Sequence, residues 1–399
     1  MPSISSRASA IEPSRTIAFN QRARELKAAG QDIIDLTVGE PDFRPPAAVL
    51  EAAAAGVIKG ADRYTPVAGL PDLRRAAADM YHRYKGLDYA PEQIVVSCGA
   101  KNSIANAMLA LVNPGDEVIV PLPAWPTYTQ MAKLAGGRPV TIPSDAACGY
   151  KLDPDRLKSA LNSRSKLLVL GTPSNPTGAV YSLAELEALA RVLEAFPDVW
   201  ILADEVYNRI RYVPEVPSPA FIPSLKSRCV IIDGLSKSHA MTGWRIGFSA
   251  APQPVTDACV AIQGQTVTCA PGISQLAGLA ALTSDQTPVD AMVAAYTKRR
   301  SSFITSLRSV PGFIVPQPDG AFYAWPDVTG LFGLSWKGRA MEGVDDVALF
   351  LLEEALVALV PGSAFGDPAS LRFSFAASDS VLASAANRIR QAVASLHDR

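Results

Sequence analysis

Short, uniformly apolar runs alternate with longer amphipathic stretches through the middle of the chain. Gln93–Ser97, Glu117–Pro121, Lys166–Leu170, Val199–Ala203, Val230–Asp233 and Arg245–Ser249 read as strands. Lys101–Leu111, Ala124–Leu134 and Leu183–Phe196 read as helices between them. A strand apolar at every position is buried on both faces. The pattern therefore predicts an α/β fold with a mostly parallel sheet covered by helices. Ligands in such sheets bind beyond the C-terminal ends of the strands.

The pattern changes towards the C-terminus. Pro288–Val310 reads as one long helix, followed by short strands at Phe313–Val315, Ala321–Trp325, Leu359–Pro361 and Leu371–Phe375. Helices at Asp345–Leu356 and at the C-terminus complete an α+β unit. The expected division is a large domain over 46–295 and a smaller one made of 1–45 and 296–399, the first segment forming an N-terminal arm. Ala258–Ser284 carries no charge but contains Gln263, Gln265, Pro271 and Gln275. That predicts a buried helix and a bent loop rather than a membrane span.

Composition narrows the function. Lys and Arg total 37 against 38 Asp and Glu, a net charge of -1 over 399 residues. Such a balance gives no electrostatic reason to expect a nucleic acid or an anionic membrane as partner. Five scattered cysteines form no C-x-x-C pair and the three histidines are far apart, which argues against a disulfide framework or a Cys/His zinc site. Met1–Ser14 has no apolar signal core. These features together predict a cytoplasmic protein with reduced thiols.

The chemistry-bearing residues fall mostly just after the predicted strands. Ser97-Cys98-Gly99-Ala100-Lys101 joins a strand to a helix, where small residues let backbone N–H groups approach an anion. Lys237, right after a buried strand, is placed to be desolvated and so to act as an amine nucleophile, with Ser236 and Arg245 near it for a phosphate. Asp204 ends another strand and needs a positive or donor partner there. Asn175 sits in the turn Pro173–Gly178. Taken singly, each has a plainer reading: an ordinary turn, a solvated lysine, a helix-capping acid. Nucleotide signatures of the P-loop and dinucleotide kind are absent, which argues against a nicotinamide dehydrogenase.

Together the motifs are distinctive. GEPDF (39–43), YTPVAGLPDLR (64–74), SCGAK (97–101), Trp125, PSNPTG (173–178), ADEVY (203–207), GLSK (234–237), MTGWR (241–245), GAFY (320–323) and PGSAFG (361–366), with Arg372, span the chain. In this order they resemble the class I aminotransferases, enzymes of fold-type I that use pyridoxal 5'-phosphate (PLP). The resemblance covers about residues 10–395. It implies a large PLP-binding domain and a smaller one. Lys237 would form the Schiff base with PLP and later move a proton on the substrate. Asp204 would partner the pyridine nitrogen, Asn175 and Tyr207 would donate to the ring hydroxyl oxygen, and Trp125 would stack on the ring. Gly99, Ala100, Lys101, Ser236 and Arg245 would hold the phosphate. Tyr64 would reach the phosphate of a neighbouring subunit, which implies a homodimer with shared sites. Arg372 would clamp the substrate α-carboxylate, with Gly39 near it.

Within the family the chain looks closest to the prokaryotic aspartate aminotransferase and prephenate aminotransferase subgroup. Lys101, Ser14 and Thr16 match that subgroup, which implies aspartate as amino donor and 2-oxoglutarate as acceptor. One position departs: the residue before Pro13 is basic in the subgroup and is Glu12 here. An acid beside a dicarboxylate pocket would repel the substrate unless it faces solvent. Aromatic amino acids, prephenate or another side chain remain alternative substrates. A PLP-dependent carbon–sulfur lyase shares most of these residues. A regulator built on an inactive copy of the fold is disfavoured, since Lys237, Asp204 and Arg372 are all present.

Overall fold

The computed structural model describes residues 3–12 and 15–396, with the backbone alone for 15–20 and 22. Seven strands form the central sheet: β1 (Ile94–Cys98), β2 (Glu117–Leu122), β3 (Arg138–Pro143), β4 (Ser165–Gly171), β5 (Trp200–Asp204), β6 (Cys229–Gly234) and β7 (Ile246–Ala250). Their order is β1-β7-β6-β5-β4-β2-β3. Only β7 runs antiparallel to its neighbours, β1 and β6. The other six strands therefore point the same way and end on one edge.

The expected parallel sheet is present, and its side-chain alternation explains the uniform apolar runs. Leu168, Leu170, Ile201, Ala203 and Ile231 face one core, while Leu167, Val169, Leu202, Val230 and Ile232 face another on the opposite side. Each strand thus needs apolar residues at odd and even positions alike. Helices cover both faces and carry their own start signals. Leu183–Leu193, for instance, begins at a Ser182/Glu185 capping box.

Two strand expectations differ from the fold. Arg138–Pro143 is a strand that the pattern did not flag, because it lies at the sheet edge, is half exposed and contains two prolines. Phe313–Val315 is not a strand; Ile314 makes a single bridge to Asp327. Prolines 311, 316 and 318 around it remove ladder donors. The uncharged stretch forms the helices Gln253–Thr266 and Gly272–Thr283, broken before Pro271. No helix among the described residues is long and apolar enough to cross a membrane.

A separate core, rich in aromatic side chains, gathers beyond the sheet. Phe303, Phe322, Tyr323, Phe350, Phe373 and Phe375 are buried in it. Its small sheet places Leu371–Ser374 between Val360–Pro361 and Tyr323–Ala324. Ile34–Asp35 pairs in parallel with Val357–Ala358, so the N-terminal segment packs on C-terminal residues. The helix Thr287–Arg308 runs unbroken past residue 295. Tyr207 and Ile210, from the turn after β5, also belong to this second core. That turn therefore lies where the two cores meet.

Candidate active site

The C-terminal edge of the sheet collects the predicted residues. The chain leaves β6 into a single helical turn, Leu235–Ser238, which carries Lys237 inward and buries Ser236. The Lys237 ammonium donates to the Gly39 carbonyl oxygen. Burial pushes its pKa down to about 8, with Glu40 opposing and Arg372 and Arg245 adding to the drop. An amine with this lowered pKa is still mostly protonated near pH 7, but its neutral, nucleophilic fraction is far larger than that of an ordinary lysine.

Asp204 closes β5 and is buried. Its Oδ2 accepts from the Tyr128 hydroxyl at 2.6 Å, and its Oδ1 from the Val206 amide at 3.3 Å. Burial raises its pKa, and these two hydrogen bonds and Lys237 work against that rise. Tyr128 comes from the helix Thr127–Leu134, where it packs edge-on against Trp125 at 5.6 Å. Tyr128 could not be singled out from the sequence, since one tyrosine on an apolar helix face reads as core.

An anion cradle lies after β1. Gly99, at φ 83°, caps the helix Ala100–Leu111, whose first N–H groups have no preceding carbonyl to bond. A Cβ on Gly99 would strike the Arg245 guanidinium, so the glycine brings that cation against the helix start. Arg245 itself holds φ 56°, the left-handed region that non-glycine residues seldom adopt, and its Nη1 donates to the Thr242 carbonyl at 2.7 Å. Helix N-terminus and guanidinium together fit a phosphate. Lys101 Nζ stands 4.8 Å from the Trp125 ring centroid.

Arg372 projects from the small sheet and is buried. Nη1 donates to Asn175 Oδ1 at 3.0 Å and Nη2 to the Thr37 carbonyl at 2.6 Å. Its Nε is buried with no partner. The guanidinium also stacks on Tyr323 at 4.6 Å and Phe365 at 5.0 Å. A planar cation held on both sides, with a donor to spare, suits a carboxylate. Tyr207 meets Tyr323 through their hydroxyls at 2.8 Å. Burial drives the pKa of both phenols up, so both are protonated. GAFY and PGSAFG pointed to Tyr323 and Phe365 as motif members only.

Some predicted residues stand apart. Tyr64 is 88% exposed and does not join the others within this chain. Pro13 and Ser14 lie outside the described residues, as do the side chains of Arg15 and Thr16. Glu12 is directed to the helix behind Trp125: Lys133 Nζ meets its Oε1 at 2.6 Å, and its amide donates to Gln130 Oε1 at 3.0 Å.

The chain has relatives among known proteins. The family model for aminotransferase class I and II matches residues 31–389. The aspartate aminotransferase of Pinus pinaster is 42% identical over 98% of this chain and 81% of its own length. The aspartate/prephenate aminotransferase of Cereibacter sphaeroides is 41% identical over 97% of each protein. Among solved structures, the aspartate aminotransferase from Rhizobium meliloti superposes with a TM-score of 0.97 at 37% identity, covering 100% of both chains. That from Thermus thermophilus with maleate gives 0.92 at 37% identity, covering 98% of this chain and 100% of the other.

Proposed function

Because the chain belongs to the class I and II aminotransferase family, a transaminase family, we propose that it uses PLP to move the amino group of aspartate to 2-oxoglutarate. The observation that carries the proposal is the convergence of a desolvated lysine, a buried carboxylate and a buried arginine, Lys237, Asp204 and Arg372, with both partners acting on the lysine's charge. The residues present fit the cofactor. The Gly99 turn and Arg245 offer a cradle for its phosphate, Asp204 a carboxylate for its ring nitrogen, and Lys237 an amine for its aldehyde.

When bound, the cofactor supplies an electron sink for the carbanion left at the substrate α-carbon. The rest is the work of this chain. Arg372 orients the α-carboxylate, with Gly39 beside it. Lys237 takes the α-proton and returns it at the far end of the transfer. Asp204 holds the ring nitrogen charged, with Tyr128 holding Asp204. Asn175 and Tyr207 would donate to the ring hydroxyl oxygen. Trp125 would stack on the ring, and Ala100, Lys101 and Ser236 would complete the phosphate side. Asn175 already accepts from Arg372, which would link the carboxylate clamp to the cofactor.

Aspartate is favoured for two reasons. The relatives above are named for it, and one was solved with maleate, a dicarboxylate with the same four-carbon backbone. Lys101 at Trp125 offers a cation for the second carboxylate, and the Glu12 carboxylate is engaged by Lys133. Prephenate is the second reading, favoured by the name of the Cereibacter relative. The active unit we propose is a homodimer. Tyr64, exposed like Val57 and Ile58 a few residues before it, would then serve the partner's phosphate site. Two cores support a large and a small domain, which we place at 46–295 and at 1–45 with 296–399, although Tyr207, Ile210 and Met292 of the first range pack in the second core. The five cysteines are all free, which supports a reducing compartment such as the cytoplasm.

The test is direct. Protein loaded with PLP and given aspartate and 2-oxoglutarate should release oxaloacetate, and the Lys237→Ala variant should release none. Oxaloacetate from that variant at the wild-type rate would overturn the proposal.

A further inference from the structure

We infer that Tyr323 is a positioning residue that donates its hydroxyl proton to Tyr207, so fixing Tyr207 as a donor towards the cofactor and carrying the state of Arg372 to it. The inference rests on the PLP reading above.

Proton counting forces the direction. Each phenol has one proton to donate. The two hydroxyls lie 2.8 Å apart, and the contact alone leaves open which one donates. If Tyr207 spends its proton on the cofactor's ring hydroxyl oxygen, only Tyr323 can supply the proton between them. Burial keeps both phenols neutral, so neither is lost as a donor. A hydroxyl that accepts a hydrogen bond becomes a better donor, and in a dry site this polarisation is not screened.

The surroundings hold Tyr323 in that role. Its strand pairs with the one that carries Arg372, through Ser374↔Tyr323 and Phe373↔Ala324. Its ring packs edge-on against Tyr207 at 5.8 Å. A Cβ on Gly39 would come within 2.7 Å of its hydroxyl, so a side chain there would displace it. The guanidinium 4.6 Å from its ring makes the phenol more acidic, and it acts in the same sense on Tyr207, so both links of the chain feel its charge. A carboxylate bound to Arg372 would offset that cation and weaken the donation. Substrate occupancy would thus be felt at Tyr207 with no movement of the backbone.

The test uses Tyr323→Phe, which keeps the ring and removes only the hydroxyl. The readout is the pH midpoint of the visible absorption change of PLP-loaded protein, with and without maleate. Weaker donation to the ring oxygen lets the nitrogen of the Lys237 linkage hold its proton more tightly. The midpoint should therefore rise by about half a unit in the variant. The maleate-induced shift should be smaller in the variant than in the wild type. The charged and titratable groups facing Lys237 and the phenols are Glu40, Asp204, Arg245 and Arg372, and the substitution changes none of them.

A second variant isolates the route. In a Tyr207→Phe background, Tyr323→Phe should move the midpoint no further, since its effect passes through the Tyr207 hydroxyl. Equal midpoints for wild type and Tyr323→Phe would overturn the inference while leaving the PLP reading intact. So would an undiminished Tyr323→Phe shift in the Tyr207→Phe background. A wild-type protein that shows no pH-dependent band with PLP would overturn both.

Discussion

Tyr128 donates its hydroxyl proton to Asp204 Oδ2 across 2.6 Å, inside the core and at the end of the strand Trp200–Asp204. Burial raises the pKa of this carboxyl, and the hydrogen bond from the phenol opposes that rise. Tyr128→Phe should therefore push the Asp204 pKa further up and weaken its hold on the ring. A lost hydrogen bond to a charged acceptor costs about 1–3 kcal/mol, so kcat/KM for aspartate should fall roughly five- to a hundredfold. Steady-state kinetics check this, and an unchanged kcat/KM would remove Tyr128 from the account.

Arg372 presents a fork that lysine lacks. Its two terminal nitrogens bond Asn175 and Thr37, and its Nε has no partner. Arg372→Lys keeps the charge but loses the parallel pair of hydrogen bonds to a carboxylate. We expect kcat/KM to drop on the order of a hundredfold, about 3 kcal/mol. The same measurement with a donor lacking the side-chain carboxylate should show a similar factor, because the clamp is for the α-carboxylate.

Lys237 makes the cofactor-free protein less stable, and the effect has a definite pH sign. Its folded pKa is about 8 against an ordinary value of 10.5. Below about pH 8 both folded and unfolded chains carry the charge, and the fold bears the full cost of burying it. Between about 8 and 10.5 the unfolded chain binds more protons than the folded one, so stability rises with pH. Lys237→Met apoprotein should be more stable than wild type at pH 7, by on the order of 3 kcal/mol. Denaturant titrations at several pH values should show that gap closing as pH rises through the window. A gap that widens with pH would contradict the burial of the ammonium.

Glu12 departs from the basic residue expected at its position, yet its carboxylate meets Lys133 at 2.6 Å. Its side chain is 65% exposed, so the pair is worth about 0–1 kcal/mol. Glu12→Gln should accordingly change the aspartate kcat/KM by no more than about threefold. A large gain in that variant would mean that Glu12 does repel the second carboxylate.

The central sheet was legible because its strands are buried on both faces, and that burial writes itself as unbroken apolar runs such as Leu167–Leu170. Arg138–Pro143, an edge strand with two prolines, carries no such signature. The two-residue strands of the small sheet are set by tertiary contacts and have too few residues to show a period. Candidate site residues at or just beyond strand ends, Asp204 and Lys237 among them, were legible as motifs. Their partners were not. Thr37 accepts from Arg372 across 335 positions of sequence, through a backbone carbonyl that any residue could supply. Tyr128 and Tyr323 look like core aromatics until their hydroxyls are seen to face Asp204 and Tyr207.

The most direct measurement is the visible spectrum of the PLP-loaded protein, titrated with aspartate, glutamate, phenylalanine and arginine in turn. Aspartate and glutamate should abolish the band of the Lys237-linked cofactor, and 2-oxoglutarate should restore it, with the other two far weaker. A band that answers only to phenylalanine or arginine would contradict the dicarboxylate reading and the part given to Lys101. A protein that forms no such band would contradict the account of Lys237 itself.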